Sequence, residues 1–375
     1  MQLKIKKSSL FLLFFYLNIF CKGIGLGNSD FIYKILLSFA LFMLMIKYVN
    51  TYYNKNDIKI FIFLLITGVF SFFITKKPTL MLTCLCLAGI KNVNIEQLFK
   101  GMYKIRLLTF LSVIGLSFMG IVENKVIKMW RNGNFDIRYS LGFDHPNSLH
   151  LAFFSLIVTY LYINFYKMNF FKYTTVLFCN YFIYKFSGSR TGFYTIILLI
   201  IIVIIAHSKS YIIKKILCLL PQYTFLIMLS ASFILAFLYD KIQFIKFLDR
   251  IFNGRIYYSS YFINSYNLSF WGHNLSKEKN LFDNGYLFLY VQFGIVGLLL
   301  IGGIIYKICK NIRCSMDVKK GVFVLIFLIY IFTESFSPNI FMNIILLFIA
   351  PLLYSNTKID KKDKKINLNI LIRRF

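Results

Sequence analysis

Acidic residues are scarce in this sequence of 375 residues: 14 Asp and Glu stand against 43 Lys and Arg, which gives a formal net charge of +29. Such an excess of positive charge would suit a nucleic-acid-binding protein, but no RNA- or DNA-binding motif is visible. The basic residues lie between long apolar runs, as expected from the positive-inside bias of membrane proteins and their attraction to anionic lipid. We therefore expect the lipid bilayer, and no nucleic acid, to be the partner of this charge.

Motifs for metal and nucleotide chemistry are also lacking. The sequence has no nucleotide-binding glycine loop, no Asp-x-Asp pair and no cluster of metal ligands. Its seven cysteines show neither a disulfide framework nor a zinc-binding spacing. These absences disfavour a transferase that uses a nucleotide sugar and a divalent cation, and we expect no metal and no cofactor.

Apolar residues are abundant instead, because 58% of the chain is hydrophobic and 19% is aromatic. Runs of roughly 20 apolar residues, the length that crosses a bilayer, recur along the whole sequence. This pattern predicts an all-α polytopic membrane protein that forms a single integral membrane domain over residues 1–375. The predicted spans, about twelve, are 8–22, 31–49, 58–75, 78–93, 105–122, 148–166, 169–186, 191–207, 217–239, 285–306, 321–335 and 339–355.

The distribution of Lys and Arg between these spans predicts the topology. Most of the short basic loops fall on the cytoplasmic side if both termini are cytoplasmic. Two long loops, residues 123–147 and 240–284, then lie on the extracytoplasmic side, and residues 356–375 form a basic cytoplasmic tail. The first apolar run follows three lysines, but no small-residue cleavage site follows it, so we expect a retained helix rather than a signal peptide.

Two short motifs on the predicted outer side contain candidate site residues. The sequence GFDHPNSL, residues 142–149, places His145 in a turn, and Asn147 can cap the next helix or contact a ligand. The alternative is that the motif only builds the turn. In SGSRTG, residues 187–192, a tight turn brings Arg190 to the positive end of a helix dipole, which favours a phosphate group. Alternatively, Arg190 extends to lipid headgroups.

The second long loop contains the remaining candidates. Arg250 and Arg255 could bind an anion; Gly254 allows close backbone approach at Arg255, whereas Arg250 could simply pair with Asp249. Trp271 could stack on a sugar ring or lie in the interfacial aromatic belt. His273 and Asn284 are candidates for sugar contacts, and Asp283 is either a helix cap or a general base.

Four motifs in this order, namely GFDHPNSL, SGSRTG, FNGRI and DNGYLFLYVQFGIVGLL, resemble those of Wzy-type polysaccharide polymerases, which are related to the O-antigen ligase family. The resemblance covers about residues 130 to 300. It implies a bacterial cytoplasmic-membrane enzyme whose helical fold is similar to that of the metal-independent C-type glycosyltransferases. Its substrate would be an oligosaccharide repeat unit linked to undecaprenyl diphosphate. The enzyme would join such units into a capsule, an exopolysaccharide or O-antigen on the outer face of the membrane, with the flippase and chain-length regulator of the same pathway as candidate partners.

The resemblance also assigns roles to residues. Arg190 and Arg255 would bind the diphosphate, with Arg250 as a further candidate. The ligases carry a His-Asn pair before the next span, where this sequence has Asp283-Asn284, so the base would be Asp283 or His145. Two other functions stay open: a flippase of lipid-linked oligosaccharide, and a ligase that transfers a finished glycan.

Overall fold

The structure is a computed structural model that describes residues 4–5, 7–131, 134–278, 282–354 and 366–367. The α-helices are α1 (Lys7–Gly23), α2 (Phe31–Asn50), α3 (Lys55–Thr75), α4 (Thr79–Gly89), α5 (Ile95–Phe118), α6 (Pro146–Ile163), α7 (Phe170–Ser187), α8 (Arg190–Ala206), α9 (Tyr211–Leu238), α10 (Gln243–Ile251), α11 (Arg255–Ser265), α12 (Gly285–Ser315), α13 (Val318–Ile331) and α14 (Ala350–Leu353). Short 3-10 helices are formed by Phe165–Lys167 and Ile344–Ile349. The strands β1 (Lys4–Ile5) and β4 (Ile366–Asn367) pair antiparallel, as do β2 (Val126–Arg131) and β3 (Asn134–Tyr139).

Long apolar helices dominate the described part of the chain. Six of the helices described are long and apolar enough to cross a membrane, namely α2, α3, α5, α6, α9 and α12. Many large apolar side chains on these helices face outwards, for example Phe31, Phe73 and Leu299, whose exposed fractions are 76%, 63% and 68%. Large exposed apolar surfaces are characteristic of proteins that contact lipid. The structure therefore has the helices of a membrane protein, whereas the count of twelve spans and the orientation stay predictions.

The chain forms two compact units, and the polar contacts that matter for function lie within one or the other. Of the described residues, those within 1–53 and 89–201, together with 366–367, belong to the first unit, and those within 54–88 and 202–354 belong to the second. The predicted tail, 356–375, lies outside the described residues apart from 366–367. A single membrane domain over the full length stays a prediction.

In the first unit, α1 packs against α2 and α5, and α5 packs against α6. Phe11, Phe14 and Phe15 of α1 are fully buried. The rings of Phe99 on α5 and Tyr162 on α6 lie 4.3 Å apart. The predicted outer loop 123–147 is not irregular throughout, because it contains the hairpin of β2 and β3.

In the second unit, α9 packs against α12 and α13, and α13 contributes a nearly continuous buried surface. The predicted loop 240–284 contains two helices, α10 and α11. Its residues Phe262, Leu275 and Phe282 share an apolar core with residues of α9 and α12. In that core the rings of Phe262 and Phe282 stack with centroids 4.1 Å apart, near Leu287 at the start of α12. The long loop is therefore a small folded region held against the N-terminal part of α12.

Two elements differ markedly from the predicted spans. The span predicted over 321–335 ends as a helix at Ile331, and residues 332–343 form turns before the 3-10 helix begins. Thr83 of α4 supports these turns, since its hydroxyl donates to the carbonyl of Pro338 at 2.6 Å and accepts from the N–H of Ile340 at 3.1 Å. In addition, α5 begins at Ile95, ten residues before the predicted start of its span at 105.

Candidate functional site

The second unit contains a cluster of one arginine and two carboxylates. Nε of Arg255 donates to Oδ2 of Asp283 at 3.2 Å, and Nη2 of Arg255 donates to Oε1 of Glu334 at 3.1 Å. The exposed fractions of the three side chains are 14%, 28% and 13%, so the cluster is partly open at Asp283 and nearly closed at Glu334. Charged groups at this depth interact more strongly than on an open surface.

Arg255 is fixed by the way α11 begins. Asn253 and Gly254 adopt left-handed conformations with φ of 54° and 81°, and the helix starts at Arg255. Oδ1 of Asp249 accepts from the N–H groups of Ile256 and Tyr257, which satisfies the first turn of α11. The glycine noted in the sequence is thus needed for the sharp entry into α11, and Asp249 serves as a helix cap from the preceding helix.

Asp283 and its neighbour Asn284 have different structural roles, one as a partner of Arg255 and the other as a helix cap, which the sequence alone could not assign. Oδ1 of Asn284 accepts from the N–H groups of Tyr286 and Leu287 and so caps α12, while its Nδ2 donates to Oγ of Ser232 at 3.0 Å. Asn284, and not Asp283, is therefore the cap. Asp283 is left to pair with Arg255. Asn284 itself is buried, and its predicted contact with sugar stays a prediction.

Glu334 is the residue of this cluster that the sequence analysis did not find. It lies in the turns after α13, and its backbone approaches α12 so closely that a Cβ on Gly285 would come within 2.6 Å of the carbonyl oxygen of Glu334. Oγ of Ser337 also donates to the carbonyl of Gly285 at 2.6 Å. The glycine after Asp283-Asn284 thus permits the approach that brings Glu334 to Arg255. The only sequence signal was an acidic residue near the end of an apolar run.

The electrostatic environment keeps Glu334 close to its titration point at neutral pH. Burial raises the pKa of Glu334 to about 7, with a further increase from Asp283, while the charge and hydrogen bond of Arg255 oppose the increase. A carboxyl group with a pKa near the operating pH is well suited to accept and release a proton. A cavity of about 10 Å³ beside Arg255, Ser232 and Asn284 has room for a water-sized group only, so a larger ligand would have to lie at the exposed side of Asp283.

The first unit contains a second polar cluster, built under the turn that carries Arg190. His150 of α6 is fully buried; its Nδ1 lies 3.0 Å from Oγ of Ser187, and its Nε2 lies 3.1 Å from Oδ1 of Asn180. Oγ of Ser187 also accepts from the N–H of Ser189. His150 therefore holds the end of α7 and the turn that follows it.

Arg138 supports the same turn from the hairpin. Its Nε donates to the carbonyl of Ser187 at 2.6 Å, and its Nη2 donates to Oδ1 of Asn147 at 2.5 Å. Gly188 has a φ of 56° and ends α7 directly beneath the Arg138 side chain, while a Cβ on Gly192 would overlap the His150 ring. A side chain at either glycine of the SGSRTG motif would therefore crowd a neighbouring side chain, and the sequence did not indicate these contacts.

Arg190 itself remains available to a ligand. It is the first residue of α8 and is exposed, and among the described residues its guanidinium has neither a hydrogen-bond nor an ion-pair partner. The N–H groups at the start of α8 lie next to it, which favours an anion. Arg190 belongs to the first unit and Arg255 to the second, and the predicted sharing of one diphosphate stays a prediction.

Several other predicted site residues have structural partners. His145, and not Asn147 as the sequence predicted, caps α6, because its Nδ1 accepts from the N–H of Asn147 at 3.0 Å. Trp271 stacks on Phe70 with centroids 5.4 Å apart, and His273 Nε2 lies 2.8 Å from the carbonyl oxygen of Asn267. Arg250 is exposed near the end of α10 and, within the described residues, forms no ion pair with Asp249. Their predicted ligand contacts stay predictions.

The segment that contains Trp271 and His273 meets a break in α12. Gly294 has φ 68° and ψ −168°, a conformation available essentially to glycine alone. The backbone groups released by the break pair with the segment before α12: the N–H of Ile295 donates to the carbonyl of Ser269, and that of Val296 to the carbonyl of Phe270. The amide of Gln292 donates to the carbonyl of His273 at 2.7 Å. Backbone that leaves a membrane helix needs such partners.

Comparison with known proteins finds no protein-family model, no curated protein and no solved structure that matches the chain. Among the described residues, no group of three or more His, Cys, Asp or Glu side chains is placed to hold a metal ion. The class defined by these findings is a helical membrane protein, and the described part of each unit contains a polar cluster around a candidate site residue.

Proposed function

We propose that this protein joins oligosaccharide repeat units linked to undecaprenyl diphosphate into a surface polysaccharide. The ordered motifs in the sequence point to this family of reactions. The observation that carries the proposal is the cluster of Arg255, Asp283 and Glu334, because it combines a fixed cation with a carboxyl group that titrates near neutral pH. Glycosyl transfer from a lipid diphosphate needs both of these groups.

In the proposed reaction, a hydroxyl oxygen of the acceptor sugar attacks the anomeric carbon of the donor glycan. The bond from that carbon to the diphosphate oxygen breaks, and the lipid diphosphate leaves with the bonding electrons. A carboxylate accepts the hydroxyl proton. A single displacement of this kind inverts the anomeric centre. Glu334 is the favoured base because its pKa of about 7 lies close to neutral pH, while Asp283 is the more exposed carboxylate.

Arg190 and Arg255 have the properties needed to stabilise the leaving diphosphate. Arg190 is an exposed cation at a helix N-terminus. Arg255 is already paired with two carboxylates, so a diphosphate would have to take over at least one of those contacts. If the diphosphate replaced Asp283 as a partner of Arg255, the ion pair between Arg255 and Glu334 would remain.

Replacement of each arginine in the host organism tests this function. In a strain that lacks the chromosomal gene, wild-type protein should restore long surface polymer, whereas Arg190→Ala and Arg255→Ala should leave only single lipid-linked units. Arg313→Ala is the matched control, since Arg313 is an exposed arginine at the other end of α12. The amount and thermal stability of each variant in the membrane are measured in parallel, and Arg255→Lys keeps a cation in case Arg255→Ala does not fold.

The glycan profile separates the candidate functions. Wild-type polymer in a folded Arg190→Ala or Arg255→Ala variant would contradict the assigned roles. Loss of attachment of a finished polymer to its final acceptor, with polymer length unchanged, would instead indicate a ligase.

A flippase is the second candidate, and Arg106 is the observation that favours it. Arg106 lies within α5 and is buried; its Nη1 donates to the carbonyl of Ser155 and to Oγ1 of Thr159 on α6. A buried arginine inside a membrane helix is a common feature of transport pathways. Build-up of unpolymerised lipid-linked units on the cytoplasmic side in an Arg106→Gln strain, with normal polymer in Arg190→Ala, would support this function.

A further inference from the structure

The short helix α10 presents three distinct faces. Ile245 and Asp249, four residues apart, are buried against the protein. Phe244, Phe247 and Ile251, spaced by three and four residues, form an exposed apolar face. Lys246 and Arg250, also four apart, form an exposed cationic face. A solvated surface helix would not normally expose three large apolar side chains on one side.

The exposure of the apolar face is high, since the exposed fractions of Phe244, Phe247 and Ile251 are 64%, 56% and 63%. The position of α10 in the chain explains how such a face can be covered. The preceding helix α9 is long and apolar enough to cross a membrane, and it ends at Leu238, five residues before α10 begins. The four connecting residues cannot carry the chain far from the end of a span.

The cationic face of α10 would lie at the level of the lipid headgroups. Nζ of Lys246 is 5.8 Å from the centre of the Tyr239 ring, which directly follows α9. Lys246 and Arg250 therefore lie beside the end of the span, where lipid phosphates are found. A helix with an apolar face, a basic face and a membrane span next to it has the properties of an interfacial helix.

We propose that α10 lies in the membrane surface, with Phe244, Phe247 and Ile251 inserted among the acyl chains and with Lys246 and Arg250 bound to the phosphate groups of anionic phospholipid. The occupant of this surface is the bilayer itself, not a second protein.

This placement has a consequence for the cluster around Arg255. Asp249, on the buried face of α10, accepts hydrogen bonds from the first N–H groups of α11, next to Arg255. A helix fixed in the headgroup region would therefore set the height of Arg255 relative to the bilayer surface. This inference does not depend on the proposed polymerase activity.

Fluorescence quenching in lipid nanodiscs tests the placement of the apolar face. The full-length chain carries Phe247→Trp after the two native tryptophans, Trp130 and Trp271, have been replaced by Phe. Lipids brominated in the acyl chain should quench this tryptophan strongly. Lys246→Trp in the same background is the control on the cationic face, and it should be quenched mainly by aqueous iodide. If Phe247→Trp does not fold, Ile251→Trp replaces it.

Two results would overturn the proposal. Quenching of the tryptophan at 247 by iodide and not by brominated lipid would place the face in water. Resistance to both quenchers would show that protein, from a second copy or another chain, covers it.

A second measurement tests the binding of anionic lipid. The emission of the tryptophan at 247 is followed as the fraction of phosphatidylglycerol in a phosphatidylcholine nanodisc increases. Lys246→Gln together with Arg250→Gln should weaken the attraction to anionic lipid by about tenfold, so that the half-maximal shift moves to a much higher phosphatidylglycerol fraction or is not reached. Lys209→Gln with Lys215→Gln, two exposed lysines near the other end of α9, is the matched control and should leave it unchanged. Equal behaviour of the two double variants would refute the assigned role of Lys246 and Arg250.

Discussion

Arg255 and Glu334 are 79 residues apart in the sequence, and their side chains form an ion pair of 3.1 Å. The pair joins the start of α11 to the turns after α13. Since Asp283 binds the same guanidinium, two carboxylates share one cation, and the cluster carries an excess negative charge when both acids are ionised. Burial is the main physical reason why the pKa of Glu334 rises to about 7; Asp283 adds to the increase, and the charge and hydrogen bond of Arg255 oppose it.

Glu334→Gln should remove a pH-dependent contribution to stability. The native pKa of Glu334, about 7, exceeds the usual value of 4.5, so the folded protein binds this proton more tightly than the unfolded chain does. The stabilisation is therefore complete below about pH 4.5 and is lost as the pH rises through 7, by about 3 kcal/mol in total. Thermal unfolding in detergent between pH 4.5 and 8 measures this loss.

Glutamine keeps the shape of the side chain and cannot ionise, so the fall in melting temperature between these pH values should be smaller in Glu334→Gln than in the wild type. Glu96→Gln is the control, because Glu96 is an exposed acid in the first turn of α5. An identical pH dependence in Glu334→Gln and wild type would show that Glu334 does not titrate in this range.

Asp283→Asn should change the pH dependence of glycan transfer, if the proposed function holds. Loss of the Asp283 charge removes an influence that raises the pKa of Glu334. The base would then ionise at lower pH, and the acid limb of the rate against pH should move downwards. Transfer from lipid-linked donor by the purified protein in liposomes gives this profile.

The same variant distinguishes the two candidate bases. Complete loss of transfer at every pH in folded Asp283→Asn would identify Asp283, rather than Glu334, as the base. Asp240→Asn, an exposed acid in the turn before α10, is the matched control and should leave the profile unchanged.

The apolar helices could be predicted from the sequence because long apolar runs specify them locally. The predicted span 31–49 corresponds to Phe31–Asn50, and 169–186 corresponds to Phe170–Ser187. The turns of residues 332–343 could not be predicted in this way. They depend on Thr83 in α4, a partner far away in the sequence, and the predicted spans 321–335 and 339–355 extend into them from both sides.

The candidate site was predicted only in part for the same reason. Arg255 and Asp283 could be chosen from the sequence because each stands in a short polar motif. Glu334 stands at the end of an apolar run and outside the recognised motifs, and only the tertiary approach at Gly285 brings it to Arg255. Similarly, the sequence allows either Asp283 or Asn284 to cap α12. In the structure Asn284 is the cap, and its side chain also donates a hydrogen bond to Ser232 of α9, a contact between residues far apart in the sequence.

Ser187→Ala should weaken the support of the Arg190 turn. The substitution removes the hydroxyl partner of the buried His150 ring and of the Ser189 N–H. An unsatisfied buried polar group costs about 1–3 kcal/mol, so the melting temperature of the protein should fall. Ser315→Ala, at an exposed serine whose hydroxyl donates only to the carbonyl of Asn311 in its own helix, should have little effect. Equal stability of the two variants would contradict a supporting role for the Ser187–His150 contact.

Gly294→Ala should disrupt the break in α12 and the segment that fills it. The conformation at Gly294 is strained for any residue with a side chain, and a Cβ there would overlap the carbonyl oxygen of Phe270. The strain and the overlap together should destabilise the protein by more than about 2 kcal/mol and separate residues 269–273 from α12. Hydrogen exchange measured on peptides covering 266–276 and 291–298 should become faster, because the N–H groups of His273, Ile295 and Val296 lose their partners.

Gly303→Ala is the control in the same helix. A Cβ at Gly303 meets no atom within 4 Å, and alanine favours the helix, so hydrogen exchange should be unchanged or slower and stability unchanged or slightly higher. Unchanged exchange in both peptides of Gly294→Ala would mean that α12 can continue unbroken through this position, and that the segment with Trp271 and His273 does not depend on the break.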